Sequence, residues 1–310
     1  MTEYLASWND GPAKSAILGF VETSTAKGPG FVDVADRIAT FDNDGTMWVE
    51  QPAPPQADFL IRAWTKALKG DPSLGTRQPW KAIIEHDEAF FQGLATQDPD
   101  VVASIEGAVA TTWAGTTPDV FDAQVREWVQ TVKQPKFDVG YTSLVYQPML
   151  EVFDLLKAND FRVFLCSGGG RDFMRVFVEE TMGLYKEAVI GSSSAYEYKD
   201  GKIVRTDQML GGLSLGSGKP EHIYAQAGRL PVFAGGNADV DIEMLETARF
   251  SLLLVHDDDE REFAYTASAE KAVAKAKQLG WTLVSMKDDW STVFAHRSGP
   301  DPRRLRSTRD

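Results

Sequence analysis

The chain has 310 residues, with 32 Lys and Arg against 45 Asp and Glu, a formal charge of −13, and 43% hydrophobic residues. This composition suits a globular protein with ample chain for a buried core. The acidic balance excludes broad electrostatic binding to nucleic acid or to anionic membranes, which needs clustered Lys and Arg. A single cysteine, Cys166, excludes an intrachain disulfide framework and Cys-rich zinc sites. The first residues, MTEYLASWNDG, lack a basic segment followed by an apolar run, and no stretch reaches 18 apolar residues. The expectation is a soluble cytoplasmic protein.

In chain order, the first short apolar run is Ile38–Phe41, ending in Asp42. Further runs cover 161–166, ending in Ser167 and three glycines, 188–190, 231–234 before Gly235-Gly236, and 250–255 before His256. Short apolar runs closed by Gly or polar residues suit buried parallel strands. Helical patterns lie between them. Met149, Leu150, Phe153 and Leu156 share one face, as do Phe173, Met174, Phe177 and Val178, with Gly183 as a stop. Another helix begins at Ile242, Met244 and Leu245. This alternation predicts an α/β fold with a doubly wound, mainly parallel Rossmann-like sheet, whose ligands bind beyond the carboxyl ends of the strands. Asp42, Ser167 and Gly236 all fall there.

The connection after the first strand is far longer than an ordinary crossover, about 100 residues from Thr46 to Pro148. It reads as helical. Ala57–Leu68 and Trp80–Leu94 each fit one helix, and Thr117-Pro118 starts another that carries Phe121, Val125, Trp128 and Val132 on one face. Residues 51–143 are therefore expected to form a helical cap inserted into a core of 1–50 and 144–296, with 297–310 as a mobile tail. Ala195–Arg205 is expected to be a hairpin turning at Asp200-Gly201.

Four segments carry chemistry. Asp42-Asn43-Asp44-Gly45-Thr46 places two carboxylates two residues apart at a strand tip. They suit a hard cation, or a division into nucleophile and acid/base, or simply an Asx turn before a helix. Ser167-Gly168-Gly169-Gly170 offers a hydroxyl and free amides to a phosphate or carboxylate, unless it is a plain strand-to-helix turn. It has neither the GK[ST] ending of a Walker A loop nor the G-x-S-x-G of a serine hydrolase. Lys219 stands alone in a tight loop before a helix, where a surface role is the usual one. Gly236-Asn237-Ala238-Asp239-Val240-Asp241 clusters oxygen ligands, or forms an acidic helix start. Cys166, on a strand, reads as buried and inert.

These four segments, in this order, resemble the haloacid dehalogenase-like hydrolase superfamily over residues 36–255, and most of all its phosphoserine phosphatase type. Asp42-x-Asp44-Gly45-Thr46 matches the first motif, Ser167-Gly168-Gly169 the second and Lys219 the third. Gly236-Asn237 through Asp241-Ile-Glu-Met-Leu245 is similar to the fourth, G-D-x-x-N-D-x-x-M-L. The long insert lies where the family carries its cap. The resemblance implies that Asp42 is a nucleophile forming an aspartyl-phosphate, and that Asp44 protonates the leaving alcohol and then activates water. It implies that Ser167, Gly168 and Gly169 hold phosphate oxygens, and that Lys219 neutralises charge on nucleophile and phosphate. Mg²⁺ is implied on the Asp42 carboxylate, the Asp44 main-chain carbonyl and the fourth motif, through Asn237 and Asp241.

The physics agrees. A carboxylate approaching a phosphate dianion meets repulsion of about 4 kcal/mol per unit charge pair at 4 Å and effective dielectric 20, so a cation and an ammonium are needed to oppose it. The expected activity is Mg²⁺-dependent hydrolysis of a small phosphomonoester. Pyrophosphatase or dehalogenase chemistry, or weakly catalytic phosphate binding, are the alternatives; Asp44 counts against dehalogenation, because halide needs no acid.

Two departures stand out. Asn237 occupies a place where those phosphatases carry an acidic metal ligand, which shifts the expected load to Asp241, with Asp239 behind it. Their substrate-reading glutamate corresponds in spacing to Gln51, with Glu50 one residue early. Arg62 and Arg77 read as solvated, as does the His256–Glu260 run.

Overall fold

The computed structural model describes residues 4–96 and 98–294; the expected tail, 297–310, lies outside them. After helix α1 (Pro12–Thr25), strand β1 (Ile38–Phe41) enters the centre of the sheet with every residue buried. The chain then passes through α2 (Pro55–Gly70), α3 (Trp80–Glu85), α4 (Glu88–Ala95), α5 (Pro99–Thr112) and α6 (Pro118–Thr131). A two-strand ladder follows, β2 (Lys133–Gln134) with β3 (Val139–Gly140). Helix α7 (Gln147–Ala158) returns the chain to β4 (Arg162–Gly170), which lies parallel to β1. Next come α8 (Arg171–Arg175), α9 (Val178–Met182), β5 (Val189–Ser192) and the hairpin β6 (Ser194–Lys199) with β7 (Lys202–Met209). Helix α10 (Gly218–Ala227), β8 (Phe233–Gly236), α11 (Ile242–Thr247), β9 (Phe250–Asp257), β10 (Ala264–Tyr265), α12 (Glu270–Leu279), β11 (Thr282–Ser285) and α13 (Met286–Asp289) complete the fold.

The main sheet runs β9-β8-β1-β4-β5, with β11 parallel and β10 antiparallel along β9. All the other pairings in this sheet are parallel. From β1 the chain builds outward first through β4 and β5, then on the other side through β8, β9 and β11, so the order reverses at β1. A doubly wound sheet opens its ligand crevice at such a point, beyond the carboxyl ends of the strands.

Asp200 (φ 50°) and Gly201 (φ 79°) make the expected two-residue turn of the hairpin. Two expected helices are each broken in two. His86 adopts φ 52° and closes α3, while Asp87 accepts the Phe90 amide and starts α4. After β4, Phe173, Met174, Val176, Phe177 and Val178 are all buried. One straight helix would have to turn part of that set to solvent; the break between α8 and α9 lets Phe177 stack on Trp48 (4.8 Å) and Phe173 pack on Trp128 and Phe59. Gly183 ends α9 at φ 61°, as expected.

Two apolar clusters flank the sheet, one centred on Phe41, Phe153 and Phe233, the other on Ile223, Leu245 and Leu253. A third belongs to the helical segment alone: Trp64, Trp80, Val101, Ile105 and Ala108. Phe121, Val125 and Trp128 on α6 are buried as core rather than open to a ligand. No helix among the described residues is long and apolar enough to cross a membrane.

Candidate active site

Asp42 follows β1 directly, and its amide donates to Gly235 O of β8 (2.9 Å), which extends the sheet ladder by one residue. The carboxylate is thereby fixed at the switch point. Gly235 is required there, since an added Cβ would lie 2.5 Å from the Phe41 ring. Across the crevice, Lys219 at the start of α10 is completely buried. Its ammonium donates to Asp42 Oδ1 (2.6 Å), Asp241 Oδ1 (2.5 Å) and Cys166 O (2.9 Å). A solvated lysine is thus excluded. Burial works against its charge, but Asp241 and Asp42 outweigh that and hold Lys219 above the ordinary lysine range. Burial, with Asp241 adding to it, pushes the Asp42 carboxyl well above the usual carboxylate range, against the pull of Lys219.

Asp44 lies on the same loop. Trp48 Nε1 donates to its Oδ1 at 2.6 Å, and Asn43 Nδ2 lies 3.4 Å from the same atom. Burial raises its pKa to about 7, although the Trp48 bond pulls the other way. A carboxyl so poised exchanges a proton near neutrality.

The loop after β4 closes the opposite wall. Ser167 Oγ accepts the Gly169 amide (3.0 Å), which leaves its hydroxyl proton free to donate elsewhere. A Cβ on Gly169 would lie 3.3 Å from Ser167 Oγ and 3.9 Å from Asp44 Oδ2, so this glycine faces both. One on Gly168 would meet Leu215 Cγ at 2.9 Å. Gln56, from the first turn of α2, accepts the Gly170 amide at 2.5 Å, a contact that nothing in the sequence marked.

The fourth segment turns inward. Asp241 Oδ2 accepts the amides of Asn237 (2.9 Å) and Ala238 (3.0 Å), while its Oδ1 is held by Lys219. Both oxygens of Asp241 accept hydrogen bonds, so it anchors Lys219 and the turn. Asp239 accepts the Ala272 amide (2.8 Å), which ties it to α12. Asn237 Oδ1 accepts Thr46 Oγ1 (3.0 Å), and its Nδ2 donates to Glu50 Oε1 (2.9 Å). Glu50 also accepts Tyr265 OH at 2.5 Å. Burial pushes the Glu50 carboxyl up, against His256, Tyr265 and Asn237.

His256 differs from expectation. His256 in β9 is buried, as is Asp258 just beyond the strand, where it pairs with Arg261; only Asp259 and Glu260 are exposed. Its ring lies 2.9 Å from Gly45 O through Nε2 and 3.1 Å from Glu262 Oε2 through Nδ1, and stacks on Tyr265 at 4.2 Å. It thus braces the loop that carries Asp44. Arg62 pairs with Asp58 (2.6 Å) on an exposed face, and Arg77 lies over Trp80. Cys166 is buried, with its thiol pushed up to about 11 by burial.

The groups that could hold a metal at the crevice are oxygens of Asp42, the Asp44 main chain, Asn237 and Asp241. Among the described residues no three of His, Cys, Asp and Glu converge into a metal cage. That set suits Mg²⁺, which is bound through one or two carboxylates and keeps several waters for exchange with substrate phosphate. The charge calls for a cation too, since Asp42, Asp44 and Asp241 stand around the single ammonium of Lys219.

A comparison with curated proteins finds no match. Among solved structures, the fold is similar to a conserved protein of unknown function from Anaerococcus prevotii DSM 20548, with TM-score 0.60 and 14% identity over 94% of this chain and 98% of that one. It is similar to a protein of unknown function from Bordetella pertussis Tohama I, with TM-score 0.51 and 16% identity over 80% and 98%. A cytosolic 5′-nucleotidase IIIB bound to cytidine matches with TM-score 0.50 and 13% identity over 87% and 84%. These likenesses concern the fold. The sequence itself matches the profile of the haloacid dehalogenase-like hydrolases over residues 39–246, which includes all four segments of the crevice. The chain belongs to the haloacid dehalogenase-like hydrolase family.

Proposed function

We propose that the protein is a Mg²⁺-dependent phosphatase that hydrolyses a small phosphomonoester through an aspartyl-phosphate. The observation that carries this reading is the buried Lys219 ammonium shared by Asp42 and Asp241 at the switch point of the sheet. It neutralises part of the charge where a carboxylate must meet a phosphate dianion.

In this reading Asp42 attacks phosphorus, so that the bond from phosphorus to the ester oxygen breaks as the bond from Asp42 to phosphorus forms. Asp44, poised near pH 7, gives its proton to the departing alkoxide. It then takes a proton from water, which cleaves the aspartyl-phosphate and returns Asp42 and inorganic phosphate. The Ser167 hydroxyl and the amides of Gly168 and Gly169 hold the equatorial oxygens. The Asp42 carboxylate, the Asp44 carbonyl, Asn237 and Asp241 would hold Mg²⁺, and Asp241 also fixes Lys219 and the 237–238 turn. When bound, the metal supplies positive charge to the phosphoryl oxygens.

Residues 51–143 serve as a cap that excludes water and selects the substrate. Two features support this: the segment has its own apolar cluster, and Gln56 reaches from it to the Gly170 amide. The test uses p-nitrophenyl phosphate with Mg²⁺. Asp42→Asn and EDTA are each expected to abolish phosphate release, and full activity in either case sinks the mechanism.

A further inference from the structure

Glu50 is neither a surface residue nor placed like a substrate reader. Its carboxylate turns toward the fourth segment, where it accepts Asn237 Nδ2 (2.9 Å) and Tyr265 OH (2.5 Å) through one oxygen. Both donors are neutral, no ion pair of Glu50 occurs among the described residues, and His256 is the positive group that favours its ionised form. Half-burial raises the pKa of a carboxyl unless positive charge stands near it, and a cation bound beside Asn237 would hold Glu50 ionised. The contact also settles the Asn237 amide. With Nδ2 given to Glu50 and Oδ1 facing Thr46, the side chain has one orientation. An aspartate at 237 would set two carboxylates against each other, whereas an asparagine donates. Gly45 completes the fit, since an added Cβ there would lie 2.6 Å from Glu50 Oε1 and 2.8 Å from Asn237 Cγ.

We propose that Glu50 and Asn237 act as one unit, in which Glu50 supplies the negative charge and Asn237 the oriented amide oxygen, and that this unit sets the affinity of the crevice for a divalent cation. Glu50 is then a positioning residue rather than a catalytic one. The inference rests on the Mg²⁺ reading given under Proposed function.

The experiment is Mg²⁺ titration of the full chain by calorimetry, paired with the Mg²⁺-induced rise in thermal midpoint, neither of which depends on turnover. Glu50→Gln keeps the shape and removes the charge; its Mg²⁺ affinity is expected to fall by about 10- to 100-fold, the usual effect of losing an outer partner of a metal ligand. Adding Asn237→Asp to that variant moves the charge one position and is expected to restore affinity to within a few-fold of wild type. Should Glu50→Gln fail to fold, Tyr265→Phe removes one donor to Glu50 while keeping the ring on His256, and a several-fold loss is expected. Unchanged affinity in the Glu50 or Tyr265 variant, or no recovery in the double variant, overturns the proposal. A wild-type chain that binds no Mg²⁺ overturns the reading beneath it as well, so the two failures are told apart.

Discussion

Replacing Lys219 by methionine tests whether the crevice is organised around one buried charge. Nζ lies 2.6 Å from Asp42 Oδ1 and 2.5 Å from Asp241 Oδ1 and has no exposure. At an effective dielectric of 20, each of these pairs attracts by about 6 kcal/mol. Together they exceed the several kcal/mol needed to strip the ammonium of water, which is why the lysine stays charged. Methionine fills nearly the same volume, so little cavity arises, but two buried carboxylates lose their counter-charge. Breaking a buried pair in this way costs about 3–5 kcal/mol. The loss also depends on pH. Asp42 already sits above its unfolded pKa, and removing Lys219 raises it further. A carboxyl with a raised folded pKa holds more protons in the native state, so stability falls as pH rises from the unfolded value toward the folded one. Urea denaturation of Lys219→Met in metal-free buffer is expected to show the larger deficit at pH 8 and the smaller at pH 5. A deficit below about 1 kcal/mol at pH 8, or one that does not change with pH, would refute the reasoning.

Asp44, at about pKa 7, is protonated below neutrality and loses its acid form above it; turnover of an alkyl phosphate is therefore expected to decline above pH 7. Asp44→Asn is expected to lower that kcat by about 10²- to 10⁴-fold and to affect p-nitrophenyl phosphate much less, because nitrophenolate leaves without a proton. Equal losses on both esters would remove Asp44 as the acid. Gly45 has φ 72°, and its Cα faces Glu50 and Asn237. Gly45→Ala combines a left-handed backbone with overpacking and is expected to cost about 2–5 kcal/mol in urea denaturation; stability within about 0.5 kcal/mol of wild type would contradict the packing described.

The parallel strands and the hairpin turn were legible because each depends on local chemistry. Apolar runs closed by glycine announce buried strands, and Asp200-Gly201 announces its turn. The helix breaks were less legible, since periodicity reports which residues are apolar but not that both faces will be covered. Phe173 through Val178 show this, because Trp48 and Trp128, far away in sequence, supply the second surface. In the crevice, Asp42, Asp44, Ser167 and Lys219 stand in short motifs at strand ends and could be read directly. Gln56, Trp48, Tyr265 and His256 could not. Gln56, Tyr265 and His256 reach the site from other elements, and Trp48 turns back onto Asp44 four residues earlier in the same loop; the partner in each case is a main-chain atom or a carboxylate. The acidic run after His256 misled for the same reason: Asp258 is buried by its pairing with Arg261, which in turn donates to the main chain at Met286 and Trp290.

The same contrast accounts for how, in the proposed phosphatase reading, a chain of charge −13 would accept an anion. Its acidic residues are mostly surface groups, screened within about 10 Å by ordinary salt, and they govern the site less than the few charges inside the crevice. There the balance is also negative, with three carboxylates, Asp42, Asp44 and Asp241, around one ammonium. Lys219 alone cannot reverse it, as Asp241 already takes half of its attention. In the phosphatase reading proposed above, the net positive potential a phosphate requires arrives with the metal. In that case the acidic crevice is no obstacle to an anionic substrate; it is what gathers the cation that the substrate then meets. Affinity for phosphate should accordingly track affinity for Mg²⁺, and residues that never touch the phosphate, Glu50 among them, should change both together.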